Sequence, residues 1–318
     1  MLLVSIGLVD IVTVDVCICT YKRDTVTNAI LSVGEVDHNP KVEIGIIVVD
    51  NDSEMSALPK VSIAALSCTH PVRYHHAPSG NISIARNACL NISNADWLAF
   101  LDDDTIAMPG WIEELYRVAN RSGADVVFGP AVAEYPAKTP PWLLENDFHS
   151  SIPQRKKNLL RNGHTCNVLM RRTNTKIRNQ RFLVSLGQTS GEDTEFFARL
   201  ARSGVNAEIA EKAIVKEIVP PERIGLAWLI RRKFANGWAF AFSSVGKTKL
   251  ERLARSLYSA AVFSWCLSMA LFTLTSFKRC AFWLVRGAFH LGVVRGCISM
   301  PSMQLYGGGN ASRDTGEA

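Results

Sequence analysis

The apolar run Trp97-Leu98-Ala99-Phe100-Leu101 ends abruptly in Asp102-Asp103-Asp104-Thr105, and these three adjacent carboxylates are the clearest chemical feature of the chain. Hard divalent cations such as magnesium and manganese take oxygen ligands of this kind, with substrate phosphates completing the shell. Alternate residues of an extended chain face the same way, which predicts Asp102 and Asp104 pointing together while Asp103 turns aside. The plainer alternative is a strand end running into a solvated acidic turn, with Asp104 or Thr105 capping a helix. The triplet alone does not separate the two.

The run itself reads as a strand buried on both faces, and in open α/β sheets ligands collect beyond the carboxyl ends of the strands. Two earlier apolar runs end in polar clusters too: Ile11 to Cys19 leads into Thr20-Tyr21-Lys22-Arg23-Asp24, and Val42 to Val49 into Asp50-Asn51-Asp52-Ser53. Helical spacing covers Val26 to Val36 and Asn81 to Ile92, and a short strand spans Val72 to His75. This alternation predicts an α/β fold, a mostly parallel sheet wound by right-handed crossovers. Each polar cluster taken singly could be loop solvation or a helix cap, but three clusters on neighbouring strands would converge on one nucleotide site.

Downstream, the pattern predicts a helix from Pro109 to Ala119, one strand from Ala124 to Ala133, and a long irregular loop from Tyr135 to Asn162 that holds Trp142 and the basic run Arg155-Lys156-Lys157. Long loops in compact domains are usually functional or disordered. A strand from His164 to Met170 follows. Gly191-Glu192-Asp193-Thr194-Glu195 then enters a helix from Phe196 to Ser203, with Thr189 or Ser190 as cap. Those acids could serve the helix dipole or chemistry. Short strands at Val205 to Ala210 and Ala213 to Val219 precede a helix from Ile224 to Phe242, where Arg231, Arg232 and Lys233 form either a solvated face or a phosphate clamp.

Composition sets the class: 47% hydrophobic and 20% charged residues suit a globular protein with some membrane character. Seven Lys or Arg and no acid occur from Arg252 to Arg313, a pattern that favours anionic lipid headgroups. No nucleic-acid-binding signature accompanies that charge. The eight cysteines form no CxxC pair and read as reduced thiols of a cytosolic body. Met1 to Val12 is apolar but lacks the basic start of a signal peptide. Ser256 to Phe277 is 22 residues without a charge, enough to cross a bilayer, although it holds five Ser and two Thr. A single span would put Lys278, Arg279, Arg286 and Arg295 outside, against the positive-inside tendency. A hairpin through Cys280 to Met300, helices lying in the interface, or a buried helical subdomain are the alternatives. Gly307 to Ala318 reads as disordered.

Taken together, Val16-Cys17-Ile18-Cys19-Thr20-Tyr21-Lys22-Arg23, Val48-Val49-Asp50-Asn51, Ala85-Arg86-Asn87, Phe100-Leu101-Asp102-Asp103-Asp104 and Gly191-Glu192-Asp193 resemble family 2 glycosyltransferases in order and spacing over residues 11 to 240. More narrowly the chain resembles the rhizobial succinoglycan glucosyltransferases, closest to the β-1,4-linking activity among them. The resemblance implies a GT-A fold, a Rossmann-like sheet flanked by helices, with a C-terminal membrane-associating helical segment. It implies an N-terminal extension at 1–10, a catalytic domain at 11–245, a basic apolar region at 246–305 and a tail at 306–318.

The resemblance also implies roles. Thr20, Tyr21, Arg23, Asp50, Arg86 and Asp103 would contact the nucleotide and its sugar; Asp104, with Asp102, would hold Mg²⁺ or Mn²⁺; Asp193 would be the general base, with Glu192 and Glu195 as alternatives. Arg231, Arg232 and Trp142 are candidate phosphate or acceptor contacts. The implied reaction is inverting transfer of one hexose from a UDP-sugar to a polyprenyl-diphosphate-linked oligosaccharide at the cytoplasmic face of a bacterial inner membrane. Processive members carry a QxxRW motif after the base; this chain has none, which favours a single transfer. The competing classes are a sugar-phosphate nucleotidyltransferase, which would show a Gly-rich basic N-terminal loop in place of Thr20 to Asp24, and a non-catalytic membrane scaffold.

Overall fold

The computed structural model describes residues 11–35, 41–156, 159–161, 163–188, 191–244 and 248–298. The expected extension at 1–10, the tail at 306–318 and the caps Thr189 and Ser190 lie outside the described residues.

Val, Ile and Cys fill Val12–Thr20 (β1), of which Val14, Val16, Cys17 and Ile18 are fully buried. Val26–Gly34 (α1) returns the chain to Val42–Asp50 (β2), and Leu58–Ser67 (α2) to Val72–His76 (β3). α2 has no counterpart in the sequence reading, because Ile63 and Leu66 stay exposed and blur its apolar period. Ile82–Ile92 (α3) starts where the Asn81 side chain accepts from the Ser83 and Ile84 amides, and leads to Trp97–Asp102 (β4). β1 lies parallel between β2 and β4, with Thr20 opposite Asp50 and Cys19 opposite Asp102. The three polar strand ends therefore share one sheet edge.

Thr105–Ala107 (β5) and Trp111–Ser122 (α4) follow. The single strand expected from Ala124 to Ala133 is instead two, Val126–Phe128 (β6) and Ala131–Glu134 (β7), in different sheets. Pro130 has no N–H to continue a ladder, and a Cβ on Gly129 would meet the Ala213 carbonyl oxygen at 2.3 Å. The stretch from Tyr135 to Asn162 is likewise not a featureless loop: it contains Pro141–Asn146 (α5) and a ribbon of Gln154–Lys156 (β8) with Leu159–Arg161 (β9). Asn167–Arg171 (β10) runs antiparallel between β4 and β6. Its Asn167 is buried, accepting from Trp111 Nε1 at 2.7 Å and donating to the Pro130 and Ala213 carbonyls, so one side chain ties α4 and both sheets together.

After Thr175–Arg178 (α6), Glu192–Arg202 (α7) begins four residues earlier than its apolar period suggests, which puts all three candidate acids in its first turn. Ala207–Ile209 (β11), Val215–Ile218 (β12) and Leu226–Ser244 (α8) complete the body. The main sheet has the order β11-β6-β10-β4-β1-β2-β3, mostly parallel, and a second sheet is ordered β5-β12-β7. One core packs α1, α2 and α4 on the first face of the main sheet and another packs α3 and α7 on the opposite face, giving the α/β arrangement with helices on both sides.

The charge-free stretch from Ser256 to Phe277 does not form one helix. Lys249–Phe272 (α9) ends where Thr273 Oγ1 donates to the Met269 carbonyl at 2.7 Å, a side-chain bond that competes with helix continuation. Phe277–Ile298 (α10) then turns back between α8 and α9. Among the described residues α10 is the helix long and apolar enough to cross a membrane. It approaches α8 closely through glycines: a Cβ on Gly292 would lie 2.0 Å from the Phe234 carbonyl oxygen, and one on Gly237 would lie 1.9 Å from that of Phe289.

Candidate active site

Lys22 takes a left-handed conformation, φ 54°, just beyond β1, and this turns Arg23 back over the end of β4. Arg23 donates to Asp103 at 3.0 Å and also to Asp104, while Thr20 Oγ1 donates to Asp103 at 2.8 Å. The expected alternation fails here because β4 stops at Asp102. Asp103 and Asp104 lie in the following turn and converge on one guanidinium, whereas Asp102 faces Arg86 Nη2 at 3.9 Å.

Arg86, on α3, is buried and spans two acid groups: its Nη1 donates to Glu192 Oε1 at 2.5 Å, and its other amino group faces Asp102. Glu192 is pushed upward by burial, which outweighs Arg86, and its Oε2 has no hydrogen-bond partner. Asp193 behaves oppositely. Burial opposes its charge, yet His164, whose Nδ1 lies 3.0 Å from Asp193 Oδ2, holds this carboxyl well below the usual range. A carboxylate only accepts, so His164 Nδ1 carries the proton. Glu195 is engaged by Arg199 within the same helix, at 2.9 and 3.0 Å.

The carboxylates at the strand ends are charge-rich. Asp102 still reaches solvent on one side of the cleft, but crowding by protein, with Asp104 and Asp103 beside it, raises it to about 7; burial, opposed by Arg23, raises Asp103 to about 6. Glu217 on β12 is raised to about 7 by burial and by Asp104 and Asp102. Hard oxygen donors with surplus negative charge fit a divalent cation. Among the described residues no three His, Cys, Asp or Glu side chains are grouped to hold a metal ion, and Asp102 and Asp104 face different cations, Arg86 and Arg23.

The other expected residues are placed as follows. Asp50 is fully buried: it accepts from the Asp52 and Ala57 amides at 3.0 and 2.9 Å and from Tyr74 OH at 2.9 Å, an arrangement that shapes the loop after β2. Tyr21 is partly exposed at the cleft rim with Lys22 5.5 Å from its ring. Trp142 packs edge-on against Phe277 of α10, 5.4 Å between centroids. Arg231 is exposed and Arg232 half-buried on α8. Sequence reasoning passed over His164, Glu217 and Arg223. Arg223 Nη1 lies 3.8 Å from both Asp104 and Glu217, and its guanidinium sits over Trp228, which stacks on His149. The signal for Arg223 was Pro220-Pro221, which ends β12 and turns the next residues toward the cleft.

The geometry joins a nucleotide-type sheet edge to a buried acid pair at a helix start, and comparison with known proteins decides what that edge belongs to. The profile described as Glycosyl transferase family 2 matches residues 15–177, and Glycosyl transferase family group 2 matches residues 97–294. The chain is a family 2 glycosyltransferase. This glycosyltransferase is also 35% identical over 295 residues to the succinoglycan biosynthesis protein ExoM of Rhizobium meliloti (strain 1021), covering 92% of this chain and 96% of that protein. Family 2 enzymes generally use divalent metals.

Proposed function

We propose that this glycosyltransferase transfers one hexose, glucose in β linkage, from a UDP-sugar to a lipid-linked oligosaccharide in assembly of a succinoglycan-like exopolysaccharide. The observation that carries the reading is the division of labour between two acid groups: an ionised Asp193 held by His164, and the acidic turn Asp102 to Asp104 surrounded by Arg23, Arg86 and Arg223. In this mechanism Asp193 takes the proton of the acceptor hydroxyl as that oxygen attacks the anomeric carbon from the face opposite the nucleotide, which inverts the configuration. Thr20, Tyr21, Asp50 and Asp103 shape the nucleoside side of the cleft, and Arg86 keeps Glu192 and Asp102 in place behind it. Asp104 and Asp102 would hold Mg²⁺ or Mn²⁺, whose chemistry is to stabilise charge on the departing diphosphate.

The catalytic unit spans 11–245, and the basic region 246–305 holds it at the cytoplasmic face of the inner membrane, where a polyprenyl-linked acceptor resides. The relative's role in succinoglycan biosynthesis supports the polymer class. Incubation of the purified protein with a panel of radiolabelled UDP-sugars and extracted lipid-linked oligosaccharides tests the proposal. Label entering the lipid fraction from UDP-glucose, released by β-glucosidase, is expected. Label entering from no nucleotide sugar would contradict it.

A further inference from the structure

By composition α10 is the helix apolar enough to span a membrane, yet α9 exposes more large apolar side chains. One face of α10 is covered: Cys280, Ala281, Val285, Ala288 and Val293 are buried, and its glycines bring it against the backbone of α8, while Phe277, Phe282, Leu291 and Ile298 stay exposed. α8 carries Arg231, Arg232 and Lys233, so α10 cannot enter hydrocarbon without drawing a cationic helix with it, which is costly. α9 is built the other way round. Its inward face is small and weakly polar, Ser259, Cys266 and Ala270, and its outward face is large and apolar. Leu253 and Leu257 stand four residues apart, and Tyr258, Trp265 and Phe272 seven apart, so with Leu271 they share that outward face, with Leu257 63%, Trp265 61%, Leu271 61% and Phe272 84% exposed. An apolar face of this size, interrupted at Ser264 and Ser268, marks an interaction surface.

Resting on the membrane-bound reading above, we infer that the outward face of α9 lies in the plane of an anionic bilayer, with α9 and α10 forming an interfacial hairpin that does not cross it. The charge selects the occupant. Residues 249–298 hold seven Lys or Arg and one Glu, so pairing with a second copy would set like charge against like, whereas anionic headgroups complement it. Lys249 and Arg255 flank the stripe on either side, where long cationic side chains reach the headgroups while an apolar face is immersed. The hairpin turn also meets the catalytic body: Phe277 contacts Trp142, Phe282 stacks on Phe148, and His149 stacks on Trp228 beside Arg223. A lipid-borne acceptor at that surface thus lies next to the elements lining the cleft.

Flotation of the full-length protein with phosphatidylglycerol-containing and pure phosphatidylcholine vesicles tests this, alongside the quadruple variant Leu257→Ser, Trp265→Ser, Leu271→Ser and Phe272→Ser. Circular dichroism and thermal melting confirm that the variant keeps its fold, as substitutions at exposed positions predict. The expected result is preferential binding to the anionic vesicles, at least a tenfold fall in partitioning for the variant, and release of the bound wild type by alkaline carbonate. Equal partitioning of variant and wild type, or wild type retained through carbonate as a spanning protein would be, overturns the inference but leaves membrane association standing. Failure of the wild type to float, with self-association lost only in the variant, overturns both.

Discussion

His164 Nδ1 lies 3.0 Å from Asp193 Oδ2, linking the segment that enters β10 to the first turn of α7. The contact raises His164 above its ordinary 6.5, the charge of Asp193 outweighing the burial that disfavours a charged ring, and it depresses Asp193 below its ordinary 3.8. The histidine contribution to stability is full below pH 6.5 and fades as pH rises through the raised value. The aspartate contribution is full above pH 3.8 and fades as pH falls through the depressed value. Thermal melting of wild type against His164→Gln is therefore expected to differ most between pH 4 and 6.5 and to converge in alkaline buffer. A difference independent of pH would separate the two residues.

Arg86 is the buried cation on which Glu192 depends. Arg86→Ala leaves an uncompensated buried acid, with an expected cost of ~3–5 kcal/mol in denaturant unfolding. Adding Glu192→Leu should recover much of that loss, since the orphaned charge is removed with its partner.

Asp104→Asn removes a carboxylate from the turn proposed to bind the metal without changing its size. Wild type with UDP and Mn²⁺ at a hundred times the dissociation constant should gain ~2.7 kcal/mol by mass action. The variant should gain far less from the pair while melting normally alone. Differential scanning fluorimetry reads both.

Gly292→Leu forces a side chain into the Phe234 carbonyl and should part α10 from α8. Overpacking of this kind costs ~1–3 kcal/mol or more, measurable as a lowered melting temperature, with the far-UV spectrum retained.

The sheet edge was legible in the sequence because buried parallel strands advertise themselves: the apolar runs ending at Thr20, Asp50 and Asp102 name both the strands and their functional ends. Three features were not. The break at Gly129-Pro130 depends on Asn167 and Ala213, which are distant in sequence. His164 and Arg223 approach the site only through tertiary folding, and Pro220-Pro221 before Arg223 marks a turn without saying what it faces. The packing of Trp142 was not legible either, since its partner Phe277 lies in the C-terminal hairpin, beyond the reach of any local pattern.

Asp193 is the residue on which the account turns. Sugar transfer by Asp193→Asn, measured as label moving from UDP-glucose to lipid-linked acceptor, should fall by about 10²–10⁴-fold, with melting temperature and UDP-dependent stabilisation kept. Transfer at the wild-type rate by a folded Asp193→Asn protein would contradict the account.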